Sequence, residues 1–155
     1  MDTAREAVAD LFRQILSGED IPAPKALLAR LKPEASAERL PDVPYSLLGN
    51  LYHAVFWHRV WLGRLTGGKR PAWKDDWKEP GPEALDALRD EFLDGLNRAL
   101  AMVEAEPFEH RMESDARALH LLMSLAIHDA YHLGQIKLIK RMMATRDRQI
   151  GNLRT

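Results

Sequence analysis

The sequence predicts an all-α protein, and three observations carry that prediction. Apolar residues recur at helical spacing in every long segment. Nowhere do they alternate with the two-residue period of a strand. The breaks between segments carry Ser, Asp, Pro and Gly where helices start and stop. At 155 residues, 46% of them hydrophobic, residues 1–155 are expected to form a single domain with a sizeable core. No internal repeat or low-complexity tract interrupts it.

The first helix is read from Thr3 to Ser17. Val8, Leu11, Phe12, Ile15 and Leu16 share one face, Asp2 or Thr3 caps the start, and Gly18 ends it. A short piece follows from Pro24 to about Leu31, with Pro24 in the first turn and Lys32-Pro33 as the stop. Pro41 to Ser46 is a loop that finishes on a good N-cap, Ser46. From Leu47 to about Leu65 runs a strongly apolar helix whose Asn50, His53, Phe56, Trp57 and Val60 form one stripe. His58 lies about 140° around that helix from His53 and is a poor partner for the same ligand.

From Thr66-Gly67-Gly68 on, about 16 residues pass before the next helix near Pro82, where roughly 2–8 suffice in a bundle. Such a segment can travel a bundle's full length, so the helices that it joins need not be antiparallel neighbours. Trp73 and Trp77 are expected to pin it to the surface; the sharper alternative is a lid over a site. The next long helix spans about Glu83 to Ala105, with Leu85, Leu88, Phe92, Leu96, Ala99 and Val103 inward. Pro107 interrupts, and His110 is expected to be exposed in the loop that follows. Ser114 or Asp115 caps the last helix, which is read to about Thr145, with His120 at the edge of its inward stripe.

That last helix carries the run His128-Asp-Ala-Tyr-His132-Leu-Gly-Gln-Ile136. Two histidines four residues apart lie on one face, and their imidazoles can reach a single divalent ion. Leu121, Leu125, Ile136 and Ile139 turn that face inward. Backbone, water or a carboxylate could equally satisfy the rings. HDAYH is a weak match to the HExxH zinc proteases, because Asp129 is one methylene short of the required Glu and no histidine follows His132. A third imidazole must come from upstream, and His53 is the histidine on a plainly inward face.

Composition excludes several alternatives. Without cysteine, there is no disulfide, thiolate nucleophile or Cys-based zinc site, so a metal must use His, carboxylate and water. A net charge of −1 argues against a dedicated nucleic-acid binder. The basic run Lys137, Lys140, Arg141, Arg146, Arg148 and Arg154 reads as a solvated helix end. The charged start at Met1 leads into no apolar signal core and no run approaches membrane-spanning length, so a cytoplasmic location without membrane partners is expected.

The pairing of Leu51-Tyr-His53-Ala-Val-Phe-Trp57 with the HxxYHxGQI run resembles the DinB/YfiT-like superfamily of metalloproteins. The stretch from Leu40 to Leu48 and the Trp-containing connection are similar to that family too. The resemblance implies a four-helix bundle with up-down-down-up order and three histidines, matching His53, His128 and His132, around one divalent metal, commonly zinc or nickel. It also implies a homodimer as a plausible assembly. Characterised relatives include transferases and isomerases that use low-molecular-weight thiols such as bacillithiol, mycothiol or glutathione.

Three neutral imidazoles leave one position open on a tetrahedral ion. The function that the resemblance implies is a metal-dependent enzyme that activates a low-molecular-weight thiol toward a small-molecule substrate. The alternatives are a hydrolase in which the metal activates water, and a non-catalytic metal-binding bundle. Asn50 and Gln135, each one turn from a candidate ligand, are candidates to orient a ring or hold a water. Trp57 is expected to floor the pocket, Tyr131 to serve helix packing, and Arg64 to sit at a solvated helix end, with attraction of an anionic substrate as its sharper role.

Overall fold

Asp2 opens the first helix by accepting from the Arg5 amide at 2.9 Å, and Gly18 closes it with its N–H on the Gln14 carbonyl. In this computed structural model, which describes residues 2–152, six α-helices follow one another: α1 (Thr3–Ser17), α2 (Pro24–Leu28), α3 (Pro33–Ala37), α4 (Leu47–Thr66), α5 (Leu85–Glu104) and α6 (Asp115–Asn152), with short 3-10 turns at Trp73–Asp75 and Pro82–Ala84. The described residues contain no strand. Met1 and Arg154 lie outside them.

Two boundaries differ from the sequence reading. The piece expected from Pro24 to Leu31 ends at Leu28, because Ala29 is extended and Arg30 adopts a φ of 58°. Pro33 then opens a second short helix instead of only ending the first, since a proline at the first helical position lacks an N–H that would have no partner there. Lys140 Nζ donates to the Leu27 carbonyl and ties α2 to α6. The last helix continues past Thr145 to Asn152, and Arg146 on this extension pairs with Glu38 at 2.5 Å.

Helix α4 is the central element: thirteen of its twenty residues are buried, as befits a helix that is apolar nearly all round. Ser46 Oγ accepts from the Gly49 amide at 2.9 Å, as its N-cap position predicts. At the far end Gly67 turns the chain with φ 79°, a conformation that a side chain would strain. The chain then runs back along α4, for Glu79 reaches its start and accepts from the Ser46 amide (3.1 Å) and hydroxyl (2.5 Å). The long connection is thus a crossover strap, and α5 sets off beside α4 in the same direction.

The remaining directions follow from specific contacts. Arg5, near the start of α1, donates to the Val103 (2.8 Å) and Ala105 (2.6 Å) carbonyls at the end of α5, so these two helices are antiparallel. The buried guanidinium there satisfies carbonyls that have no partner inside the helix. Asn50 faces Gln135 while His58 faces Asp129, which sets α6 antiparallel to α4. The order is up-down-down-up, with α4 and α1 each packed against both α5 and α6. Phe12, Phe92, Leu51, Leu65, Leu96, Leu122 and Leu125 fill the space between them. No helix among the described residues is long and apolar enough to cross a membrane.

Candidate metal centre

On α4, Asn50, His53 and Trp57 occupy successive turns of one face; antiparallel α6 presents His132 and His128 to it. The three imidazoles converge through the same ring atom. His128 Nε2 lies 3.3 Å from His53 Nε2 and 3.1 Å from His132 Nε2. All three ligand atoms fall within 4.8 Å of one another. Nitrogens bound tetrahedrally at 2.0–2.1 Å are separated by about 3.3–3.4 Å, so two of these separations are close to the edge of a metal-centred tetrahedron. The donor set could hold a divalent metal ion by chemistry and spacing.

The rings are held neutral, as ligands must be. Burial pushes His128 down to about 3, helped by the nearby His132 and His53. Burial and His53 lower His132 to about 4. Burial also lowers His53, against the pull of Asp76.

Outer contacts fix which nitrogen points inward. His132 Nδ1 donates to Asn50 Oδ1 at 3.1 Å, and Asn50 Nδ2 donates to Gln135 Oε1 at 2.7 Å. Both residues expected beside the ligands therefore act in one chain, with Gln135 orienting Asn50 and Asn50 orienting the ring. Sequence reasoning missed a third contact: Asp76 Oδ1, on the strap, lies 2.8 Å from His53 Nδ1. The contact is off the line of a good hydrogen bond, and both buried atoms otherwise have no partner. Trp77 stacks on the His53 ring at 3.8 Å and on Tyr45 at 4.9 Å. The strap does more than pin itself to the bundle; it covers one ligand's face. An irregular segment has no period from which this register could be read.

One helical turn deeper lies a pair that the sequence reading also missed. His58 Nε2 sits 2.9 and 2.8 Å from the two oxygens of Asp129, and both side chains are buried. The His58 ring stacks on Phe92 at 4.9 Å. Burial pushes the Asp129 carboxyl up, and the facing imidazole pulls it down. Gly95 of α5 makes room, since a Cβ there would come within 1.9 Å of His58 Nδ1. Asp129 thus points away from the triad, unlike the Glu of HExxH. The available signal was its phase: Leu122, Leu125, Asp129, Leu133 and Ile136 make the buried stripe of α6.

The other expectations divide. His110 is not exposed: its side chain is 7% accessible, packs on Phe108, contacts Asp115 at 2.9 Å and accepts from the Met112 amide. His120 is exposed, at the edge of the inward face. Tyr131 is 62% exposed, which corrects the packing role expected of it. Its phase carries it off the α4-facing side, and only its edge meets His132. Trp57 lies beside both His53 (6.4 Å) and His128 (5.9 Å), and Arg64 is half-buried.

Residues 23–136 match the sequence profile of the DinB superfamily. Comparison with characterised proteins and with solved structures gives no significant match.

Proposed function

The chain belongs to the DinB superfamily, and from that premise we propose that it is a metalloenzyme that activates a low-molecular-weight thiol for transfer or isomerisation of a small electrophilic substrate. The observation that carries this reading is the convergence of His53, His128 and His132 Nε2 with no carboxylate between them. A divalent ion held by three neutral imidazoles lowers the pKa of a thiol or water in its remaining position, so a nucleophile becomes available at neutral pH.

The protein's own residues supply the rest. Asn50 keeps the proton of His132 on Nδ1 and its Nε2 free to bind. Asp76 Oδ1, 2.8 Å from His53 Nδ1, favours a proton on that nitrogen by its charge. His53 and His132 are buried and His128 is half-buried, so the site is reached across His128. The bundle core does not depend on the ion, and the apoprotein is expected to keep its helicity when chelated; complete loss of the circular dichroism signal would mark a structural metal instead.

The test is cobalt-substituted protein titrated with glutathione, mycothiol and bacillithiol. The reading predicts a sulfur-to-cobalt charge-transfer band with at least one thiol, absent in His128→Ala. Metal-loaded protein whose spectrum no thiol alters would reject thiol activation. Turnover of activated esters by that same protein would then favour the hydrolytic alternative.

A further inference from the structure

We propose that the open side of the triad is an indole-walled slot selecting a ligand whose metal-binding head carries a flat aromatic group; this rests on the metal reading above. His128 is the half-buried member of the triad, so the side over its ring is where a ligand approaches. That side is lined by tryptophan. Trp61 meets the His128 ring edge-on at 5.1 Å, and Trp57 meets it at 5.9 Å. One turn apart on α4, these two indoles lie 4.7 Å from each other at an angle of 38°. Trp73 extends the wall from the strap, 5.6 Å from Trp57 at 53°. With Trp77 on His53, three of the chain's four tryptophans touch the triad, and Trp73 joins them through Trp57.

Anchoring the strap does not account for them. Trp77, wedged between His53 and Tyr45, and Glu79, bound to Ser46, already hold it. Trp73 nevertheless leaves 65% of its surface in water, an exposure that a large apolar ring ordinarily avoids. Trp57 and Trp61 are half-buried. The three indoles are tilted against one another, and Trp73 is the one that is mostly exposed. Each offers a polarisable plane and one N–H donor, so this wall discriminates by shape and stacking, with few directed hydrogen bonds.

Two probes with the same metal-binding head isolate the wall: acetohydroxamate and benzohydroxamate, titrated into the zinc-loaded full chain by calorimetry. Tryptophan fluorescence gives a second readout, because Trp57, Trp61 and Trp77 lie against the triad rings. The proposal predicts benzohydroxamate binding about tenfold tighter or more, of the size expected for a stacked ring. Trp61→Leu and the surface variant Trp73→Leu should each reduce that ratio while keeping one metal per chain. Equal affinity for the two probes would overturn the slot and leave the metal reading intact. No binding of either probe to metal-loaded protein would overturn both the slot and the open position. If that protein were also a dimer by light scattering, the wall would belong to a second copy. Failure to hold zinc would remove the metal reading itself.

Discussion

Helices α4 and α6 are bridged twice by histidine, one turn apart, and the two bridges differ in chemistry. In the upper bridge three imidazoles point the same nitrogen at one another with no anion among them. In the lower bridge one imidazole meets one carboxylate, and both are sealed from water. The lower pair is buried, with both Asp129 oxygens on His58 Nε2. The upper cluster could hold a cation. The same two helices thus supply a register lock and a ligand site from adjacent positions, His128 and Asp129, and helical phase alone separates the roles.

The largest way to break the comparison is Asp129→Ala. It leaves His58 buried without its partner, and about 3–5 kcal/mol of stability should be lost in urea unfolding of the apoprotein. The folded fraction should still bind metal. A loss under about 1 kcal/mol would mean that the pair is not the lock described here.

Gly95→Ala attacks the same pair from α5. The added methyl meets the His58 ring, which Phe92 and Asp129 hold in place, so overpacking should cost about 1–3 kcal/mol. An unchanged unfolding midpoint would show that the ring yields easily. On the triad side, Asn50→Ala should weaken metal binding about 10–100-fold, read by competition with a chelating dye. Affinity equal to wild type would remove Asn50 from the account.

The smallest effect is spread over pH. The triad imidazoles titrate lower in the folded apoprotein than in the unfolded chain, where histidine titrates near 6.5. Between about pH 6.5 and about pH 3–4 the unfolded chain therefore binds more protons. Their contribution is fully present above pH 6.5 and is lost as pH falls through that window. Apoprotein melting temperatures should decline across it, less so in His128→Ala; identical slopes would contradict the assignment.

Much of this was legible in the sequence, for identifiable reasons. Periodicity and caps gave the four long helices, and the over-long connection between Gly67 and Pro82 gave the crossover. The triad was legible because four-residue spacing fixes a shared face, and because His53 lies on an apolar stripe. His58 escaped because its phase was used only to exclude it as a ligand. The all-round apolarity of α4 already required that every side of this helix be covered, His58 included. Asp129 escaped because its neighbours drew it into the motif, although its own phase belongs to the core. Asp76, Trp77 and His110 lie in irregular chain, where position depends on tertiary contacts that no local pattern encodes.

The central claim is tested most directly by elemental analysis of untagged protein reconstituted with zinc or nickel. His53→Ala, His128→Ala and Asp129→Asn would be measured alongside wild type. About one metal per chain is expected in wild type and Asp129→Asn, and none in the two triad variants. Wild type that holds no metal, or His128→Ala that keeps a full equivalent, would contradict the account.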